Sequence, residues 1–310
     1  MSTRKPSPLP GDQPLFPDDQ YRTLKPIKFR PLDRPVWTAN KAHLVALYLK
    51  HFLYITKHGT YIDCFAGPQD DHDGSWAAEL VLNLEPQWLR RFYLFEQNPK
   101  SHQLLQDLAG RYPKRKIVVA DRGDTNQILP QVLPLRSVRP AEATFCLLDQ
   151  RTFECSWDLV RHVAELKPDG ERKPEQFYFL AQGWLGRSIA ATTTPEGVEN
   201  ITRWWGNPDW AILRDLDPQA RAELLANRFK EELGYTYAFA WPIYSRPGRG
   251  GSVMYHMIHA TDHEEAPVLM RRAYDKAVAP TPLAAGQLEL DISDLISIGE
   301  SYLENEEHHR

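Results

Sequence analysis

Tyr61-Ile62-Asp63-Cys64-Phe65-Ala66-Gly67-Pro68 is the stretch on which the fold turns. Thr60–Cys64 is a short apolar run of the length and composition of a strand buried on both faces. Asp63 stands near its end, and Phe65-Ala66-Gly67 makes the turn that follows. Gly67 has no Cβ and allows the backbone to approach a ligand closely. A buried strand running into a tight glycine turn opens a nucleotide-binding βα unit.

The flanking pattern extends that unit in both directions. Upstream, Thr38 and Asn40 offer caps for a helix over about 41–57, with Val45, Leu49, Phe52 and Ile55 on one face. Downstream, helices are expected near 75–84, 99–111, 125–134 and 156–166. Between them fall strands at Arg91–Glu96, Lys116–Ala120, Thr144–Asp149 and Gln176–Gln182. Such alternation implies βαβ units and a parallel sheet. Residues 184–215 read as a Trp-rich insertion and Pro218–Leu233 as a helix. Tyr235–Ser245 and Ser252–Ala260 then flank Arg246-Pro-Gly-Arg-Gly-Gly251, a hairpin signature. A parallel sheet finished by an antiparallel hairpin is similar to the class I S-adenosylmethionine methyltransferases. The expected fold is therefore α/β, a Rossmann-like sheet of that class. The expected organisation is a Pro-rich arm over 1–35, the domain over 36–280 and an acidic tail over 281–310.

Composition narrows the classes. Of 310 residues, 42% are hydrophobic and 25% charged, which is ordinary for a globular chain. No apolar run reaches the roughly 18 residues of a membrane span, and the polar N-terminus does not read as a signal peptide. Three cysteines without CxxC spacing argue against a disulfide framework or zinc site, so a cytoplasmic protein is expected. The net charge of -4 does not announce nucleic-acid binding, although a local patch can dominate the field at a cleft. The arm carries seven Lys/Arg against four Asp/Glu, and the tail one Arg against seven Asp/Glu.

In a parallel sheet the ligand lies beyond the carboxyl ends of the strands. Those ends carry Asp63, Glu96, Asp121 with Asp124, and Asp149. Carboxylates repel one another, so a sheet with a purely structural role has little reason to end four successive strands in acids at one edge. Asp63, Phe65, Ala66 and Gly67 form the first turn of the expected cofactor site. Glu96 suits two ribose hydroxyls, as the acid does in dinucleotide folds. Asp124 and Asn126 suit an adenine amino group. Asp149 would face the reacting group.

The segments DCFAGP (63–68), LFEQN (94–98), RGDTNQ (122–127), LLDQRTFECSW (147–157) and YHMIHATDHEEAPVLMRRAY (255–274) together resemble the three-Cys-motif partner family, TcmP. The resemblance covers about 35–280. It implies a class I methyltransferase-type fold, S-adenosylmethionine as cofactor, an association with DNA, and a radical-SAM-like three-cysteine protein as partner. Two departures stand out. Gln69 occupies a position where methyltransferases usually carry a further glycine. Amino-methyltransferases of nucleic acids usually carry Asp/Asn-Pro-Pro-Tyr/Phe after the fourth strand, and here the segment is Asp149-Gln150-Arg151-Thr152-Phe153. Asp149 and Phe153 suit hydrogen bonding and stacking of a flipped base. Gln150 and Arg151 change the electrostatics of the site, since a cation beside a methyl sulfonium disfavours it, and a guanidinium suits a phosphate or carboxylate.

Further residues point to nucleic acid. Arg246 and Arg249 at the hairpin tip suit phosphates. Trp184, Trp204, Trp205 and Trp210 with Arg187 and Arg203 suit base stacking, or simple burial. His256 and His259 fall on opposite faces of a strand and make no joint metal site. Three readings stay open: a nucleic-acid methyltransferase; a catalytically degenerate DNA-binding partner; and a nuclease holding divalent metal on Asp63, Glu96, Asp124 and Asp149.

Overall fold

The computed structural model describes residues 36–68, 76–244 and 252–277. The arm, the acidic tail, Gln69 and the hairpin tip with Arg246 and Arg249 lie outside the described residues.

Strand β1 (Gly59–Asp63) is buried at every position, as expected of a central strand covered on both faces. It pairs in parallel with β2 (Leu89–Leu94), Tyr61 opposite Phe92, and with β4 (Thr144–Leu148), Tyr61 opposite Phe145. Beyond β2 lies β3 (Lys116–Val119), and beyond β4 lies β5 (Glu175–Ala181), again parallel. The next strand, β7 (Val253–Thr261), is antiparallel to β5 and to β6 (Tyr237–Tyr244). Among the described residues the sheet has seven strands in the order β3-β2-β1-β4-β5-β7-β6. This is a Rossmann-like sheet closed by an antiparallel hairpin, the class I methyltransferase arrangement. Its order reverses between β1 and β4, where doubly wound sheets bind ligands.

Helices fall in the expected intervals between the strands, and in five of them a polar side chain accepts from the first amides. Those of the first half are α1 (Val36–Thr56), α2 (Ala77–Leu82), α3 (Pro99–Gly110) and α4 (Thr125–Val132). They are followed by α5 (Trp157–Ala164), α6 (Gln182–Ala191), α7 (Pro195–Trp205), α8 (Pro218–Glu231) and α9 (Ala266–Ala277). Asn98 caps α3, Asp124 caps α4, Ser156 caps α5, Thr194 caps α7 and Asp217 caps α8.

Two expectations need correction. Helix α1 starts at Val36, so Thr38 and Asn40 lie within it and do not cap it; Pro35 precedes it in the sequence and is itself a helix-start signal. Nor does α1 bury a single stripe. Residues 44–49 and 51–53 are all buried, because the helix lies on the sheet and also packs against α2 and α9. In 184–215, α6 and α7 lead into a 3₁₀ helix at Pro208–Arg214. Trp204, Trp205 and Trp210 join the main hydrophobic core with Trp157 and Phe229, so burial accounts for three of the four tryptophans.

The two faces of the sheet differ, and alternation assigns residues to them. One carries Ile62, Cys146 and Tyr178 beneath Trp157, Val160, Trp204 and Phe229. The other carries Tyr61, Phe145 and Phe177, with Tyr48 of α1 packed on Phe145 and Phe177 at centroid distances of 5.9 and 4.7 Å. The carboxylates of Asp63 and Asp149 belong to this second face.

Candidate functional site

Asp63 is almost wholly buried at the end of β1. Its carboxylate accepts hydrogen bonds from the Tyr61 hydroxyl at 2.8 Å and from the Phe65 amide at 3.2 Å. Burial pushes it up from 3.8 to about 7; those hydrogen bonds oppose the rise, and the charges of Asp149 and Glu96 add to it. The following turn is tied down on three sides. The Ala66 amide donates to the Phe95 carbonyl at 2.8 Å, Trp76 Nε1 to the Ala66 carbonyl at 2.6 Å, and Thr125 Oγ1 to the Cys64 carbonyl at 2.7 Å.

Glu96, at the end of β2, closes over this turn. Its Oε2 accepts from the Gly67 amide at 3.0 Å and its Oε1 from the Asn98 amide at 2.7 Å. A Cβ on Gly67 would overlap Glu96 Oε2 and lie 2.7 Å from Ser101 Cβ. The glycine is thus required by the carboxylate that stands against it. Each carboxylate oxygen has a further lone pair for a ligand hydroxyl, and Glu96 is only half-buried.

Asp124 is engaged as a helix cap. It accepts from the amide of Asn126 at 3.0 Å and from its Nδ2 at 2.6 Å. Asn126 in turn clamps the segment after β4: its Nδ2 donates to the Glu154 carbonyl at 2.7 Å, and its Oδ1 accepts from the Ser156 amide at 2.9 Å. Within that segment Gln150 is buried, and its Oε1 accepts from the Cys155 amide at 3.0 Å. Arg151 is exposed, with its amide on Glu154 Oε2 at 2.9 Å and its guanidinium on the Pro68 carbonyl at 3.5 Å. Phe153 meets the Trp184 ring edge to face at 4.4 Å and Trp204 at 4.9 Å. Cys155 is fully buried, and burial pushes its thiol well above the usual range, which leaves it unsuited to act as a nucleophile.

Asp149 holds the partner that sequence reasoning missed. Lys41 of α1 is buried, and its Nζ donates to Asp149 Oδ1. The same ammonium lies 4.3 Å from the Tyr255 ring centroid and 4.9 Å from that of Phe179. A signal existed: Lys41, Val45, Tyr48 and Phe52 follow helical spacing, and all four are buried. A lysine heading a buried stripe requires a buried partner.

These residues border two adjoining clefts. A cleft of about 370 Å³ is lined by Phe65, Gln97, Asp124, Asn126, Phe153 and Trp184, with Asn200 and Arg203 of α7 on its far wall. A smaller one, about 160 Å³, is lined by Gly67, Glu96, Ser101, Asp149 and Arg151. They share Phe65, Gln97, Thr125 and Glu154. The larger is within the range of small-molecule sites, roughly 300–1,000 Å³. Of the cofactor-site residues expected from sequence, Phe65, Gly67, Glu96, Asp124 and Asn126 line the clefts, while Asp63 and Ala66 lie buried behind them. Arg187 is exposed on α6, and Arg203 is the arginine of this region that enters a cleft. His256 and His259 point to opposite faces, as expected. His256 contacts Gln182 and Gln219 at 2.7 and 2.9 Å, and His259 contacts Glu175 at 3.2 Å.

No family model matches the sequence, and no curated protein matches it. Solved structures similar to the chain include two complexes with S-adenosylmethionine and one carbon methyltransferase. M. jannaschii TYW2 in complex with AdoMet has 11% identity, covers 74% of this chain and 77% of its own, and gives a TM-score of 0.38. Trm1 from Pyrococcus horikoshii with S-adenosyl-L-methionine has 12% identity over 74% of this chain and 56% of its own, TM-score 0.41. The CurJ carbon methyltransferase has 16% identity over 67% of this chain and 49% of its own, TM-score 0.39. The chain thus spans about half the length of the latter two. The strand order, independent of these remote likenesses, defines the class: a Rossmann-like domain of the S-adenosylmethionine methyltransferase type. Among the described residues, no helix is long and apolar enough to cross a membrane.

Proposed function

We propose that the two clefts hold S-adenosylmethionine, and that the protein is a TcmP-type methyltransferase acting on nucleic acid, DNA in the first instance, beside a three-cysteine radical-SAM-like partner. One observation carries this reading: Glu96, Asp124 and Asp149, from three successive βα units, line adjoining clefts around Phe65 and Gly67 at the point where strand order reverses. The residues fit the cofactor. The carboxylates of Glu96, Asp124 and Glu154 suit a ligand bearing sulfonium and ammonium charges, and the Gly67 cradle leaves Glu96 at the mouth of the turn. Glu96 would hold the ribose hydroxyls, Asp124 the adenine amino group, and the Phe65–Gly67 turn the amino-acid end. The bound cofactor supplies an electrophilic methyl group. The chain's own task is alignment and exclusion of water. Arg203 and Arg187, with the Phe153–Trp184 aromatic pair, would engage phosphates and bases.

The reading of a docking protein that no longer transfers methyl groups is favoured by a separate observation. Asp149, which would accept hydrogen bonds from an acceptor amine, already accepts one from Lys41. The metal-nuclease reading gains no support: among the described residues no three His, Cys, Asp or Glu side chains cluster to hold a metal ion. Calorimetry with S-adenosylmethionine followed by methyl-transfer assays on DNA and RNA tests the proposal. Binding with transfer supports the enzyme. Binding of cofactor and DNA without transfer supports the docking protein. Absence of cofactor binding sinks both forms of the cofactor reading.

A further inference from the structure

Lys41 is remote in sequence from every strand end, yet it reaches the carboxyl end of β4. The pair it makes with Asp149 is closed in by Phe179 of β5 and Tyr255 of β7, whose ring centroids lie 4.9 and 4.3 Å from the ammonium. Lys41 is 1% exposed and Asp149 8%. A buried ammonium is tolerated only when an anion and oriented dipoles replace its water, and ring faces supply part of that field. Asp149 also lines the smaller cleft, together with Glu96, Gly67, Arg151 and Glu154. The carboxylate at this strand end is thus met by a buried ammonium.

We infer that Lys41 is a positioning residue: it fixes the Asp149 carboxylate and neutralises it towards a sulfonium bound in the cleft. This inference rests on the S-adenosylmethionine reading above. It has a consequence that a merely structural lysine lacks. S-adenosylmethionine carries a positive sulfur and S-adenosylhomocysteine a neutral one, so their affinity ratio reads the net charge near that sulfur. Structural damage weakens both ligands together and leaves the ratio unchanged. A change in net charge moves the ratio.

The test measures both affinities by calorimetry in four proteins. Lys41→Met removes one positive charge beside the carboxylate and raises the ratio of S-adenosylmethionine to S-adenosylhomocysteine affinity about tenfold, the scale of one partly screened charge interaction. Lys41→Arg keeps the cation and the wild-type ratio. Asp149→Asn removes one negative charge and lowers the ratio about tenfold by the same reasoning. The expected order is Lys41→Met, then wild type with Lys41→Arg, then Asp149→Asn. An unchanged ratio across the folded variants overturns the inference. If Lys41→Met does not fold, the other two variants still carry the comparison. A double-mutant cycle on thermal stability, run without ligand, separates the two levels of the argument. Coupling between Lys41 and Asp149 in a wild type that binds neither ligand rejects the cofactor reading but keeps the pair. Cofactor binding with no such coupling, and no change in ratio, rejects the role of Lys41 alone.

Discussion

The ends of β2 and β4 make the informative contrast. Each presents an acid to the same cleft, Glu96 and Asp149. Glu96 is held by two backbone amides, those of Gly67 and Asn98, and stays half-exposed. Asp149 is held by the buried ammonium of Lys41, 108 residues away in sequence. Amide donors from a turn organise a carboxylate and leave it open to a ligand. A buried lysine organises it by setting an opposite charge against it. Two similar residues at equivalent strand ends are thus built for different tasks: one for recognition, the other for a controlled local field.

The largest expected effect lies on the Asp149 side. Lys41→Met takes the ammonium from a buried carboxylate and should cost about 3–5 kcal/mol in chemical denaturation. The double variant Lys41→Met/Asp149→Leu should recover much of that loss, since an apolar pair replaces both charges. On the Glu96 side, Gly67→Ala forces a methyl group against Glu96 and Ser101. It should cost about 1–3 kcal/mol, as overpacking does, and weaken S-adenosylmethionine binding by pushing the carboxylate away. A thermal melt and a ligand titration of the same sample check both effects. Equal losses of stability and no loss of affinity would remove the distinction between the two strand ends.

A smaller effect concerns pH and Asp63, which lies behind both acids. Its folded value of about 7 is above its ordinary 3.8, so the folded chain binds a proton there that the unfolded chain releases. The stability from this group is fully present below about pH 4 and lost as pH rises through about 7. His256 acts in the opposite sense. Burial lowers it from 6.5 to about 4, so its contribution is present above about 6.5 and lost as pH falls through about 4. Asp63→Asn removes the first dependence. Its melting temperature should gain on the wild type as pH rises from 4 to 8, whereas a constant offset would mean that Asp63 does not titrate in this range.

Much of this architecture was legible from local pattern. The apolar runs read at Thr60–Cys64, Arg91–Glu96, Lys116–Ala120 and Thr144–Asp149 are parallel strands, each ending one or two residues earlier, because each is too short for a buried helix and lies between helical segments. The reversed β6–β7 pair followed from two long β-rich runs around glycines. What could not be read locally depended on distant contacts. Trp204 and Trp205 belong to the core because α7 packs beside α5, which no spacing within 184–215 reveals. Asn126, expected near adenine, spends its amide on the segment after β4. Gln150, placed beside the reacting group from sequence, is buried and braces the Cys155 amide. Lys41 receives no role from the sequence, because the carboxylate that it meets lies at the end of β4.

Titration of the wild type and of Glu96→Ala with S-adenosylmethionine tests the central claim most directly. The cleft described here predicts one site per chain in the wild type. It also predicts affinity weakened about tenfold or more in Glu96→Ala, the loss of charge-assisted hydrogen bonds to ribose, with the variant still folded. No binding by the wild type, or equal affinity in both proteins, would contradict it.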